Sequence, residues 1–241
     1  GRRLEEVAEL VTAQTSIASA DFLAMAQNGW RGTALPGTHT FLATIPLTGT
    51  LEGFLFPDTY RLPVDATAYD LVERMLANFD NQDTPELRQA FEARGLSLYE
   101  GITLASIVER EAVVAEERPL IAGVYSNRLR DGWFLSADPT VQYALGYQPD
   151  EANWWKHGLS FDDLDVVSPY NTYRNLGLPP GPIASPGLAV IAASAQPAET
   201  DYYFFMVDCE AGNGSHVFAQ TEEEHLNNYV RCGGFVPTPS E

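Results

Sequence analysis

Lysine is almost missing from this chain. Of its 14 basic residues only Lys156 is a lysine, and 33 acids give the 241 residues a formal net charge of −19. So acidic a surface repels phosphate backbones and anionic headgroups, which argues against a nucleic-acid partner and against direct docking on a membrane. Cysteine is scarce too: Cys209 and Cys232 are too few for a disulfide-built scaffold, and the sequence leaves open whether they pair. No stretch reaches the ~18 consecutive apolar residues of a membrane span, and no secretory signal is visible. The chain starts at Gly1 and Arg2 without an initiator methionine, directly in a helical pattern, as an excised piece of a longer protein would. G-x-S-x-G, Walker-type and dinucleotide-binding glycine motifs are all lacking. The four histidines, His39, His157, His216 and His225, stand at no metal-ligand spacing, so neither a metal nor another cofactor is expected.

What the chain does have is apolar content, 45% of residues with 11% aromatic, enough for one domain or one domain with an appended lobe. Helical spacing of apolar residues predicts helices over 2–13, 19–29, 67–80, 84–94, 97–115, 117–131, 138–146 and 187–195. Ser19 and Asp138 are the expected caps of the second and seventh, with Gly29 closing the second. Residues 30–50 read as a loop with short extended pieces, and 168–187 as a long polar loop with five prolines. Residues 202–208 and 215–221 read as a β-hairpin around Gly212–Gly214. The expected class is therefore α+β: a helix-rich catalytic domain with a small antiparallel β component and an N-terminal helical lobe. The expected division is 1–95 for that lobe and 96–236 for the catalytic core.

Residues 104–113, LASIVEREAV, carry two carboxylates in an apolar helix. With ~100° per residue and Leu104 at zero, Leu104, Val108, Ala112 and Ala115 fall between ~0° and ~80°. Glu111 comes near ~340°, inside this apolar sector, and should be buried with a partner. Glu109 comes near ~140°, at its edge, while Ser106, Arg110 and Glu117 take the polar side. A boundary carboxyl with no arginine three or four residues away is a candidate general acid, although an ordinary half-exposed helix glutamate fits the same spacing.

Beyond any one stretch, LEGFLFPDTYRLP (51–63), LASIVEREA (104–112), VYSNRL (124–129), SADPTVQYALG (136–146), SPYNTYRNLGLPPGPIASPG (168–187) and HVFAQTEEEH (216–225) occur together in order. This arrangement resembles the MltG/YceG-like endolytic murein transglycosylases over nearly the whole chain. The resemblance implies cleavage of the β-1,4 bond between N-acetylmuramic acid and N-acetylglucosamine in nascent glycan strands, with Glu109 as the catalytic residue. It also implies a single-pass anchor in the bacterial cell membrane and a LysM-like module upstream, both missing from this chain, an extracytoplasmic catalytic domain, and peptidoglycan synthases as partners. A lytic transglycosylase needs one working carboxyl, because the muramyl C6 hydroxyl attacks its own C1 and closes a 1,6-anhydro ring. Asp138, Gln142, Tyr170, Asn171 and Tyr173 have the chemistry of substrate-binding groups. Asp138 equally suits a helix cap, and Asn171 and the tyrosines equally suit pinning the loop. Glu111 and Glu52 are expected in support, Glu52 either lining the cleft or packing beneath it. His216 and Phe218 either face the cleft or serve the structure. A water-using muramidase and a non-catalytic glycan-binding or scaffolding module remain the alternatives.

Overall fold

The computed structural model describes residues 1–234. The first helix, α1 (Leu4–Gln14), buries Leu4, Val7, Ala8 and Val11 on one face. It packs on α2 (Ser19–Gln27), which contacts α4 (Ala68–Gln82). Between them, residues 29–44 form two 3₁₀ turns and the one-turn helix α3 (Leu35–Thr38) rather than extended pieces. Pro36 sits in the first turn of α3, and i→i+3 and i→i+4 backbone bonds close it locally. Ser19 is the first helical residue of α2 and Ala18 takes the cap position; Asn28 ends the helix in place of Gly29.

Helices α4 and α5 (Pro85–Glu92) start at Thr67 and Thr84, whose hydroxyls accept the amides of Asp70 and Leu87. Helix α6 (Leu98–Glu111) starts at a reciprocal cap: Ser97 accepts the Glu100 amide and the Glu100 carboxylate accepts the Ser97 amide. The helix stops at Glu111, four residues before the expected end. Ala112 is extended, the β-branched Val113 and Val114 follow, and a 3₁₀ turn over 115–117 leads into α7 (Arg118–Arg130). Helices α8 (Asp138–Leu145), the one-turn α9 (Phe161–Leu164) and α10 (Leu188–Ala195) complete the helical body. In α8, Ala137 holds the cap position and Asp138 is the first helical residue. The expected hairpin is present: β1 (Phe204–Val207) pairs antiparallel with β2 (His216–Ala219), Phe204 opposite Ala219 and Val207 opposite His216.

Helix α11 (Glu222–Arg231) packs on both strands, and a disulfide joins Cys209 after β1 to Cys232 at the end of α11, with the Cα atoms 5.5 Å apart. These features make the fold α+β. One cluster of buried apolar side chains runs from Leu4 to Ala195, so both expected lobes contribute to the same core. Residues 235 and 236, the end of the expected catalytic core, lie outside the described residues. No helix among the described residues is long and apolar enough to cross a membrane.

The axis of this core is α6, which contacts α5, α7, α8 and α10. Ala105, Ser106, Ile107 and Val108 are all fully buried, so the side that the helical wheel assigns to solvent at Ser106 is covered instead. The loop 178–187 covers it. Ser106 Oγ donates to the Thr103 carbonyl at 2.7 Å and accepts the Ile183 amide at 3.0 Å. The same loop is held at Gly53, whose φ of +86° and 2.5 Å approach to Pro182, measured to the Cβ a larger residue would carry, exclude other side chains. Thus the aromatic block 51–63 and the proline loop, distant in sequence, are pressed together beside α6.

Candidate active site

Helix α6 is buried without a break from Gly101 to Val108 and opens again in its last turn, where Glu109 and Glu111 sit. The side chain of Glu109 is 18% exposed. Its Oε2 accepts the Gly187 amide at 3.1 Å, and its Oε1 lies 2.8 Å from the Gly1 nitrogen. Gly187 caps the start of α10, so the carboxylate reaches the positive end of that helix. The segment 1–3 runs alongside residue 185 through the Ser185 amide and the Arg2 carbonyl, 2.9 Å apart. Next in sequence, Arg110 turns away, its guanidinium 3.9 Å from the Trp155 ring centroid, and donates to the Gly1 carbonyl. Glu109 is thus a partly open carboxylate whose orientation is fixed by backbone groups from another part of the chain.

Glu111 points elsewhere, as the helical spacing requires. Its Oε1 accepts the Tyr125 hydroxyl at 2.7 Å, the partner that its apolar sector predicts. Burial pushes the Glu111 carboxyl up to about 7, against the hydrogen bond from Tyr125, with the charge of Asp138 adding to the rise. Arg128 and Tyr173 stand in the same electrostatic neighbourhood. Tyr173 donates to Asp138 Oδ1 at 2.6 Å, so these two sequence-predicted residues do meet, close to the Glu111 side of α6.

The other three substrate-binding candidates are engaged with the protein itself. Gln142 donates to the Lys156 carbonyl at 2.7 Å. Asn171 is fully buried, donates to the carbonyls of Leu164 and Val166, and accepts the Tyr173 amide, which pins the loop. Tyr170 packs on Tyr143, with ring centroids 4.9 Å apart. Glu52 lies beneath this surface, 2% exposed, and accepts the Leu4 amide at 2.9 Å while its other oxygen has no partner among the described residues. Burial raises its carboxyl to about 8, the amide bond acting in the opposite sense. Beside it the buried Arg3 guanidinium lies over Tyr143 and Trp154, 4.2 and 4.7 Å from their centroids.

His216 has a structural engagement. Glu117 takes its backbone amide at 2.9 Å and lies 2.8 Å from its ring Nδ1, tying β2 to the turn after α6. Phe218 packs against Tyr202 and Phe205 within the hairpin. A groove of about 1130 Å³ follows the first turns of α6 and the second half of α7, and neither Glu109 nor Glu111 lines it. Volume alone therefore does not locate the carboxylates. Among the described residues no group of three or more histidines, cysteines or acids is arranged to hold a metal ion.

Sequence reasoning missed the two groups that most define the surroundings of Glu109. The Gly187 amide and the segment 1–3 are backbone contacts, without a side-chain pattern to announce them. The five-proline loop was the available signal, since a stiff loop can hold an amide at a fixed point.

The profile of the YceG-like family matches residues 1–231. The chain is 37% identical over 176 residues to the endolytic murein transglycosylase of Bacillus subtilis strain 168, covering 73% of this chain and 46% of that protein. It is 32% identical over 242 aligned positions to the endolytic murein transglycosylase of Streptococcus pneumoniae serotype 2 strain D39, covering 95% of this chain and 42% of that protein. A crystal structure of a YceG-like protein from Listeria monocytogenes superposes with a TM-score of 0.78 at 31% identity, covering 93% of this chain and 72% of that one. The chain therefore spans less than half the length of these curated relatives.

Proposed function

Because this chain belongs to the YceG-like family, we propose that it carries the catalytic part of an endolytic peptidoglycan lytic transglycosylase, with Glu109 as its acid and base. The observation that carries this reading is the partly exposed Glu109 carboxylate directly after the buried stretch 101–108 of α6, oriented by the Gly187 amide. In the first step protonated Glu109 gives its proton to the oxygen between N-acetylmuramic acid and N-acetylglucosamine, and the bond from C1 to that oxygen breaks. The muramyl C6 hydroxyl then attacks C1, and its proton passes to the Glu109 carboxylate. This closes the 1,6-anhydro ring and restores the acid without consuming water. An intramolecular nucleophile has a high effective molarity, which replaces the second carboxylate that hydrolytic glycosidases use. Asp138 and Tyr173, joined by a hydrogen bond and partly open to solvent, are the substrate-binding candidates best suited to reach a sugar.

The same reading sets the protein in the bacterial envelope, with glycan strands as substrate, peptidoglycan synthases as partners and a membrane anchor in the full-length protein. It treats residues 1–95 as a helical lobe bracing the core that begins at 96.

A second assignment has its own observation. Glu111, held near neutrality at about 7, has the protonation behaviour of a general acid. Purified Glu109→Gln and Glu111→Gln proteins separate the two. If Glu109 acts, Glu109→Gln lowers anhydro-muropeptide release by ~10²-fold or more with its melting temperature kept, whereas Glu111→Gln, whose amide oxygen can still accept the Tyr125 hydroxyl, keeps most of the release. The opposite ranking assigns the acid to Glu111.

A further inference from the structure

Trp133 and Phe134 stand side by side in the turn between α7 and α8 and remain 46% and 43% exposed. One exposed aromatic is ordinary, but two in succession on a well-fixed turn are not required by the core. Gly132, at φ +70°, makes the turn, and the Trp133 amide donates to the Arg128 carbonyl at 2.8 Å. The Arg128 guanidinium donates to the carbonyls of Leu135 and Tyr203, fixing both sides of the turn. The Trp133 ring leans on Tyr203 and Phe204, with centroids 5.0 and 5.9 Å away.

A polar edge accompanies these rings. Arg130 donates to both Asp131 oxygens at 2.9 and 3.0 Å and to the Tyr203 hydroxyl at 2.9 Å, and Tyr203 donates to Asp131. Arg130 also lines the groove of about 1130 Å³, together with Thr200 and Asp201. In the other direction the turn leads within four residues to Asp138, and Arg128 lies in the electrostatic neighbourhood of Glu111, Tyr125 and Tyr173. Along the chain the two aromatics therefore fall between Arg130, which lines the groove, and the candidate substrate residue Asp138.

We propose that Trp133 and Phe134, with the Arg130–Asp131–Tyr203 cluster, form a saccharide subsite for an N-acetylated pyranose of the glycan strand at a distance from the bond cleaved. This inference rests on the proposed function. A pyranose offers a flat face of C–H groups to the electron-rich face of an aromatic ring, and its hydroxyls and amide suit a fixed carboxylate and guanidinium at the edge. An apolar partner would instead strip water from Arg130 and Asp131 and leave them uncompensated. The subsite would contribute to grip on long strands, which an enzyme cutting inside a strand needs.

The test titrates a β-1,4-linked N-acetylglucosamine hexamer into Glu109→Gln protein by calorimetry, with further substitutions added. Trp133→Ala is expected to weaken binding about tenfold, the order that an aromatic contact supplies. Trp133→Tyr should retain most of the affinity, and Asp131→Asn should weaken it several-fold, all with unchanged melting temperature. Equal hexamer affinity in Trp133→Ala, or no hexamer binding at all, overturns the subsite. So does a Trp133→Ala effect confined to self-association, seen by sedimentation, which would mark the patch as a contact between copies. Trp133-dependent binding without anhydro products from the parent protein would keep the subsite and reject the transglycosylase reading. Anhydro products with Trp133-independent binding would do the reverse.

Discussion

At the scale of single residues, Glu52 and Glu111 have carboxyls that the fold keeps neutral well above the ordinary 4.5, to about 8 and about 7. The sign of the consequence follows from proton linkage. The folded protein binds these protons more tightly than the unfolded chain, so their contribution is complete below about pH 4.5 and fades as pH rises through 7 and 8. Stability should therefore fall between pH 5 and pH 9, by roughly 3–5 kcal/mol from Glu52 if its whole shift is expressed. Glu52→Gln should flatten the profile most, since the amide cannot ionise, and Glu111→Gln should remove a smaller part. Thermal melts across that range check both; a Glu52→Gln profile parallel to that of the parent would contradict the burial argument. The two glutamates of α6 meet at this scale as well. Spacing alone separates a boundary acid from a turned-in one, and the Tyr125 hydroxyl supplies the partner that the turned-in one needs.

At the scale of elements, the position of Glu109 depends on α6 holding its register. The cap formed by Ser97 and Glu100 is the first support of that helix, and Ser97→Ala should cost ~1 kcal/mol in denaturant melts. Because residues 101–108 of α6 are buried and hold its register, activity at temperatures well below melting should be preserved in that variant. The hairpin and α11 have a different support. The described residues of α11 include none that is fully buried, and Cys209 to Cys232 closes a separation of 23 residues around them. Cys209→Ser with Cys232→Ser, or reduction, should lower stability by about 3 kcal/mol through the freedom returned to the unfolded chain. Melting of oxidised and reduced protein measures it, and coincident curves would show that packing on β1 and β2 suffices.

At the scale of the whole molecule, the parts legible in the sequence were those with period. The amphipathic helices, the hairpin and the boundary position of Glu109 follow from apolar spacing and turn residues read locally. The polar side assigned to Ser106 failed because a loop 77 residues away covers it, which no local pattern encodes. The motif-derived candidates divided for a related reason: Gln142 and Asn171 bond the protein's own backbone, whereas Asp138 and Tyr173 meet near the surface. A sequence gives the chemistry of a side chain but not which of two available partners it takes. Likewise the Gly187 amide on Glu109 comes from a residue 78 positions distant.

The central claim is that this assembly cuts glycan without water, through Glu109. Mass spectrometry of products from purified glycan strands incubated with the parent protein and with Glu109→Gln tests it most directly. The account predicts fragments ending in 1,6-anhydro-muramyl residues, one water lighter than hydrolytic products, from the parent and none above background from the variant. Hydrated ends from the parent, or undiminished release by Glu109→Gln, would contradict it.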